Sequence, residues 1–169
     1  MEIQDLRKDS SWMPAIEIFE EFIPKLDPIF FAGIRKLILL DNDYHKDKKV
    51  TAAARYVPIQ GTKSANIEFY LGHFSTLPEE AKQSRMYLTW RLLCSLGHEL
   101  YHHRIRGQKK IRRPKFKQEQ KNADEWGVKT INPIFAAVYP KDLYEKEWNL
   151  IVQKIRESQD TKNLTMGLR

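Results

Sequence analysis

Cysteine is nearly absent from this chain, and the single one, Cys94, excludes an internal disulfide. Long apolar runs are also missing, since no stretch approaches the roughly 18 residues that a membrane-spanning helix needs. The first residues lack the basic segment followed by an apolar one that is typical of a secretory signal. We therefore expect a cytoplasmic protein with no membrane association, in which Cys94 is a buried free thiol.

Length and composition fit one folded domain. The 169 residues are enough to bury a sizeable core, with 41% of them hydrophobic and 30% charged. No repeat or linker divides the sequence. We predict a single domain over residues 1–169, with an N-terminal helix within residues 1–30 and a frayed tail over residues 158–169.

The net charge of +7 comes from one segment. Between Arg104 and Lys117 there are eight basic residues and no acidic one, whereas the rest of the chain has 21 basic and 22 acidic residues. Such a segment is suited to nucleic acid or an acidic partner, but it is equally the composition of a solvated loop. Its only aromatic residue is Phe116, so it offers no stacking platform for single strands, and we favour the solvated loop.

Hydrophobic periodicity predicts an α+β fold. Apolar residues at helical spacing alternate with short β-branched runs, and a small sheet of about three strands is expected to pack on a long central helix. The predicted helices are Pro14–Lys25, Glu80–Arg106, Phe116–Ile131 (ended by Asn132 and Pro133) and Lys141–Glu157; the predicted strands are Ile34–Leu40, Val50–Val57 and Asn66–Leu71.

The most informative motif is His98-Glu99-Leu100-Tyr101-His102, inside the long central helix. At 3.6 residues per turn, His98 and His102 lie on one face, one turn apart, where two imidazoles can hold one zinc ion. Glu99 flanks that face and is placed to act as a general base towards a zinc-activated water. The leucines at 92, 96 and 100 supply the buried face on the opposite side.

Downstream, the sequence Glu119-Gln120-Lys121-Asn122-Ala123-Asp124-Glu125-Trp126-Gly127 follows on the next predicted helix. With the first motif, it resembles the gluzincin clan of zinc peptidases, particularly the minimal cytoplasmic members and the repressor-cleaving peptidases of mobile elements. The resemblance covers about Ile67 to Ile131. It implies a zincin-like fold, with a small mixed or antiparallel sheet on the motif helix and further C-terminal helices, and gives Asp124 the role of orienting a ligand histidine.

This sequence departs from the clan's pattern at the position of the third zinc ligand. The clan's ligand glutamate falls four residues before Asp124, and that position is Gln120. Three side chains are candidates: Gln120 through its amide oxygen, Glu119 if the helix is shifted by one residue, or Asp124 itself. A site with no third protein ligand is also open.

These features predict a zinc (Zn2+) peptidase that hydrolyses peptide bonds, with Glu99 as general base. A substrate strand is expected to pair with an exposed edge of the sheet. The strand chosen for this role is the alternating segment Asn66, Ile67, Glu68, Phe69, Tyr70 and Leu71. The alternative is a catalytically weakened zincin that binds protein or nucleic acid, for which Gln120 and the Arg104–Lys117 segment argue.

Overall fold

A computed structural model describes residues 1–8, 12–41, 53–105 and 116–166 of the chain. Its strands are β1 (Glu2–Asp5), β2 (Ile34–Leu40), β3 (Ala54–Pro58) and β4 (Ala65–Tyr70). Its α-helices are α1 (Ala15–Phe22), α2 (Glu79–Gln83), α3 (Arg85–Ile105), α4 (Phe116–Val138) and α5 (Lys141–Met166), with short 3-10 turns at Ile23–Lys25, Pro28–Phe31 and Leu71–Thr76.

The described strands form one mixed sheet in the order β1-β2-β4-β3. The first three strands in that order run parallel, and β3 pairs antiparallel with β4. The α+β class predicted from the sequence is therefore confirmed, with four strands in place of about three. The unpredicted strand is β1, because its only large apolar residue is Ile3 and a polar edge strand has no alternating pattern to detect.

One face of the sheet carries the core. Phe19 of α1 lies against Phe69 of β4, with ring centroids 4.7 Å apart, and both side chains are fully buried. Alternate residues of β2 and β4 meet the leucine face of α3 in the same cluster. This cluster includes Leu37, Leu39, Ile67, Leu92, Leu96 and Leu100. The predicted leucine face of the motif helix is thus confirmed as buried.

The long helix expected over Glu80–Arg106 is interrupted. It divides at Ser84, where the backbone leaves the helical region with ψ at 102°, and α3 starts at the next residue. The Ser84 hydroxyl accepts a hydrogen bond from the Tyr87 backbone N–H at 3.0 Å, which satisfies a donor at the start of α3. The hydrophobic pattern continues through Ser84, so it predicted one helix and missed the serine that caps the start of α3.

Two predicted helix ends were wrong. Helix α4 continues through Pro133 to Val138, because Ile131 and Phe135 lie one turn apart and are both buried in the core. This packing outweighs the hydrogen bond that proline removes. Helix α5 runs to Met166, so residues 158–166 of the expected frayed tail are helical.

No helix within the described parts of the chain has the length and apolar character to cross a lipid bilayer.

Candidate metal centre

Two glycines allow α3 and α4 to approach closely. A Cβ atom on Gly97 would lie 2.8 Å from the Cα of Gly127, and one on Gly127 would lie 2.9 Å from the backbone nitrogen of His98. Only hydrogen fits into these spaces, since ordinary contacts between carbon atoms are about 3.5–4.0 Å. The sequence offered a signal here, because an isolated glycine inside a helix is unfavourable and usually has a packing reason.

The close crossing brings three polar atoms together. The Nε2 atoms of His98 and His102 are 3.0 Å apart, and the Gln120 Oε1 atom lies 3.0 Å from Nε2 of His98. The Gln120 amide also touches His102, with its Nε2 atom 3.3 Å from that of the imidazole. One face of α3 and one side chain of α4 thus converge on a single point.

Acidic side chains hold the opposite nitrogens of both imidazoles. Asp124 Oδ1 lies 2.7 Å from Nδ1 of His98, and Glu119 Oε1 lies 3.1 Å from Nδ1 of His102. In the tautomer in which each Nδ1–H donates to its carboxylate, each Nε2 keeps a lone pair for a metal ion, and both Nε2 atoms lie beside the Gln120 amide. The three candidates for the third ligand are therefore separated in space: Gln120 faces the convergence point, while Glu119 and Asp124 stand behind the histidines.

The spacing of these atoms fits a small tetrahedral cation. Zinc bonds of 2.0–2.1 Å imply edges of about 3.3 Å between neighbouring ligand atoms. The two 3.0 Å distances, from His98 Nε2 to His102 Nε2 and to Gln120 Oε1, are close to such an edge. Within the described residues, no three His, Cys, Asp or Glu side chains form a group able to hold a metal. The donor set that does converge is two imidazoles and one amide.

The protonation state of His102 suits metal binding. Burial, together with the neighbouring His98, holds the pKa of His102 below its ordinary value, although Glu119 acts in the opposite direction. A neutral imidazole is the form that binds a metal ion. The site therefore does not need to lose a proton from this ring at neutral pH.

Glu99 is buried beside the two histidines, with 8% of its surface exposed. Burial raises the pKa of this carboxyl, and His98, the Tyr56 backbone N–H and Arg55 partly oppose the effect. Its Oε2 atom accepts a hydrogen bond of 2.7 Å from that Tyr56 N–H. A carboxylate with a raised pKa takes up a proton more readily than an exposed one, which is the property a general base requires.

The prediction of which segment forms the exposed edge of the sheet was wrong. The segment predicted as an edge lies mostly in β4, which pairs with β2 on one side and with β3 on the other, so both of its edges are filled. Sequence alternation reports which face of a strand is buried, but it contains no information about which strand lies outermost. The residues affected are Asn66, Ile67, Glu68, Phe69 and Tyr70, while Leu71 begins the 3-10 turn that follows.

Strand β3 is the edge strand next to β4, and it lies against the motif helix α3. The Ala53 carbonyl oxygen accepts a hydrogen bond from the Tyr70 N–H. In an antiparallel pair the backbone N–H and C=O groups of alternate residues point to the partner strand, so those of Tyr56 point away from β4. The Tyr56 N–H donates a hydrogen bond to Glu99, and the Tyr56 hydroxyl lies 3.2 Å from Nδ1 of His103. Among the described residues, no strand pairs with this outer edge. Sequence reasoning missed Tyr56, because a backbone donor leaves no trace in residue identity.

His103 and Cys94 lie apart from the convergence point. Nε2 of His103 donates to the Ala32 carbonyl oxygen at 2.8 Å, which ties the end of α3 to the loop before β2. Burial raises the pKa of the Cys94 thiol to about 12, so it is protonated at neutral pH and is a poor metal ligand. Cys94 is a free thiol, as expected, but it is half-buried and not fully buried as predicted.

Most of the basic segment Arg104–Lys117 lies outside the described residues, which end at Ile105 and resume at Phe116. Of its charged groups, the Arg104 guanidinium lies 5.8 Å from the ring centroid of Trp126.

No protein-family model matches the sequence, and no curated protein or solved structure does either. The chemistry of the site is therefore drawn from its own geometry.

Proposed function

We propose that this protein is a zinc-dependent peptidase of zincin type. The observation that carries the proposal is the convergence of His98 Nε2, His102 Nε2 and Gln120 Oε1 on one point, beside the buried carboxyl of Glu99. Structural zinc sites use four protein ligands, whereas catalytic sites use three and leave one position open. Three converging donors with a carboxyl beside them correspond to the catalytic arrangement.

In this proposal His98, His102 and Gln120 hold the ion, and Asp124 and Glu119 orient the two imidazoles. A bound zinc ion supplies Lewis acidity, which makes water more acidic and polarises a peptide carbonyl. The α+β fold with a mixed sheet beside the motif helix is compatible with a zincin.

Glu99 has the proton-transfer role. Its carboxylate accepts a proton from the attacking water and returns that proton to the departing amine, so that no charged amide nitrogen has to leave. The Tyr56 N–H holds Oε2 at 2.7 Å and so fixes the carboxylate orientation.

The substrate in this proposal is an extended peptide that adds to the outer edge of β3. Main-chain hydrogen bonds to a strand edge position a peptide without regard to its side chains. The Tyr56 N–H on that edge already donates to Glu99, so a peptide seated there would pair with other backbone groups of the edge and pass next to the general base. The proposed substrate strand is thus β3, in place of the segment Asn66–Leu71.

The deciding experiment measures cleavage of a mixture of unstructured peptides by mass spectrometry, with zinc affinity measured in parallel. Glu99→Gln is expected to lower the cleavage rate at least about 100-fold, the usual contribution of a general base, while zinc affinity stays unchanged. The matched control is Glu125→Gln, which removes an exposed carboxylate from α4 and should cleave like the wild type. Undiminished cleavage by Glu99→Gln contradicts the proposal.

The second candidate is a zincin that has lost efficient catalysis and binds a protein or nucleic acid. The observation in its favour is the neutral amide of Gln120 where a carboxylate is the stronger ligand. Zinc binding without turnover, together with turnover gained on Gln120→Glu, supports this candidate.

A role for the basic segment in binding nucleic acid also stays a proposal, as does a cytoplasmic location. If the segment binds nucleic acid, retention on DNA falls steeply with salt and disappears when Lys109, Lys110, Arg112 and Arg113 are neutralised.

A further inference from the structure

The converging donors at the candidate metal centre carry no negative charge. Two imidazoles and an amide meet at the point where a divalent ion would add two positive charges. An amide oxygen has only a partial charge, so it stabilises a cation less than a carboxylate does. Some other group has to offset the ion's charge if it is to bind firmly.

Of the two carboxylates that contact a ligand histidine, Glu119 is the better placed for this. It precedes Gln120 in the sequence, and its Oε1 atom lies 3.1 Å from Nδ1 of His102. Its side chain is 13% exposed, whereas that of Asp124 is 71% exposed. Water screens an exposed charge far more than a covered one, so Glu119 acts on its imidazole with the less weakened field.

We propose that Glu119 is a positioning residue that supplies, through His102, the negative charge that Gln120 lacks. The carboxylate fixes the tautomer of His102 and raises the basicity of its free nitrogen, which strengthens that nitrogen as a donor. The negative charge of the site is therefore on Glu119, beside the ligand His102, and not on the ligand Gln120. This inference rests on the proposed function, since it requires that His98, His102 and Gln120 bind zinc.

The test compares zinc affinities measured by competition with a chromophoric chelator, independently of any cleavage. Glu119→Gln is expected to weaken zinc binding by about 10- to 100-fold, the usual effect of removing a carboxylate behind a ligand histidine. The double variant Glu119→Gln/Gln120→Glu has the same composition and net charge as the wild type, and is expected to bind zinc at least as tightly. The control Glu125→Gln removes a 66% exposed carboxylate from the same helix and should leave the affinity unchanged.

The outcomes separate this inference from the proposed function. If the wild type binds no zinc, both fall. If it binds zinc and Glu119→Gln binds equally well, this inference is overturned while the metal centre stands; the same holds if Glu119→Gln lowers only the thermal stability of the metal-free protein. If Glu119→Gln does not fold, Glu119→Asp decides, because its shorter side chain withdraws the carboxylate from His102: weakened zinc binding supports the inference, and unchanged binding overturns it.

Discussion

Replacing Gly127 with alanine tests whether the close crossing of α3 and α4 builds the candidate centre. The new Cβ atom would lie 2.9 Å from the backbone nitrogen of His98 and 3.1 Å from the carbonyl carbon of Gly97. Both neighbours are backbone atoms, so neither can rotate away. For a contact of 3.5–4.0 Å, the helices must separate by about 0.6–1.1 Å.

That separation acts directly on the donor atoms. The 3.0 Å distance between His98 Nε2 and Gln120 Oε1 crosses from α3 to α4, so it lengthens with the helix spacing. A metal site tolerates deviations of only about 0.2 Å, and we therefore expect zinc affinity to fall at least about tenfold. The free energy of unfolding is expected to fall by up to about 3 kcal/mol, because an overpacking cost of about 1–3 kcal/mol is reduced by a gain of up to about 1 kcal/mol in helix propensity.

The assay is chelator competition for zinc, with urea unfolding of the metal-free protein alongside. Val128→Ala is the control: it shortens the 43% exposed side chain next to Gly127 and is expected to change stability by no more than about 0.5 kcal/mol. If Gly127→Ala binds zinc as tightly as Val128→Ala, the crossing does not position the donors and the reasoning is refuted.

Metal-free Glu99→Gln is expected to be more stable than the wild type, by a margin that grows as the pH rises: burial raises the pKa of Glu99, so its contribution is complete at low pH and is lost as the pH passes the raised pKa. Urea unfolding at several pH values measures this margin, and a constant margin contradicts it. The Cys94 pKa of about 12, against an ordinary 9.0, predicts that a thiol reagent at pH 8 modifies the folded protein at least about 100-fold more slowly than the unfolded chain; equal rates refute it. Pro133→Ala is expected to stabilise the protein by about 1–2 kcal/mol, because proline inside α4 removes a helical hydrogen bond, and a lower melting temperature would show that Pro133 fits its site.

Local patterns predicted the elements that carry the site. Strand β2 was predicted with its observed bounds, because a short β-branched run followed by turn residues is a local signal. The motif helix was predicted from the leucine spacing, and its Leu96 and Leu100 are buried as expected. The prediction errors lie where a tertiary contact outweighs a local sequence signal. At Pro133 the helix continues because Phe135 packs into the core.

The sequence by itself determined that His98 and His102 share a helix face with Glu99 beside them, since the helical repeat sets those angles whatever else the chain does. Only the tertiary structure decided which residue faces them. Gln120, Glu119 and Asp124 are equal candidates along the chain, but the crossing at Gly97 and Gly127 directs Gln120 to the convergence point and the two carboxylates to the outer nitrogens. The order of strands is likewise a long-range outcome, because alternation defines the buried face of β4 and not its neighbours.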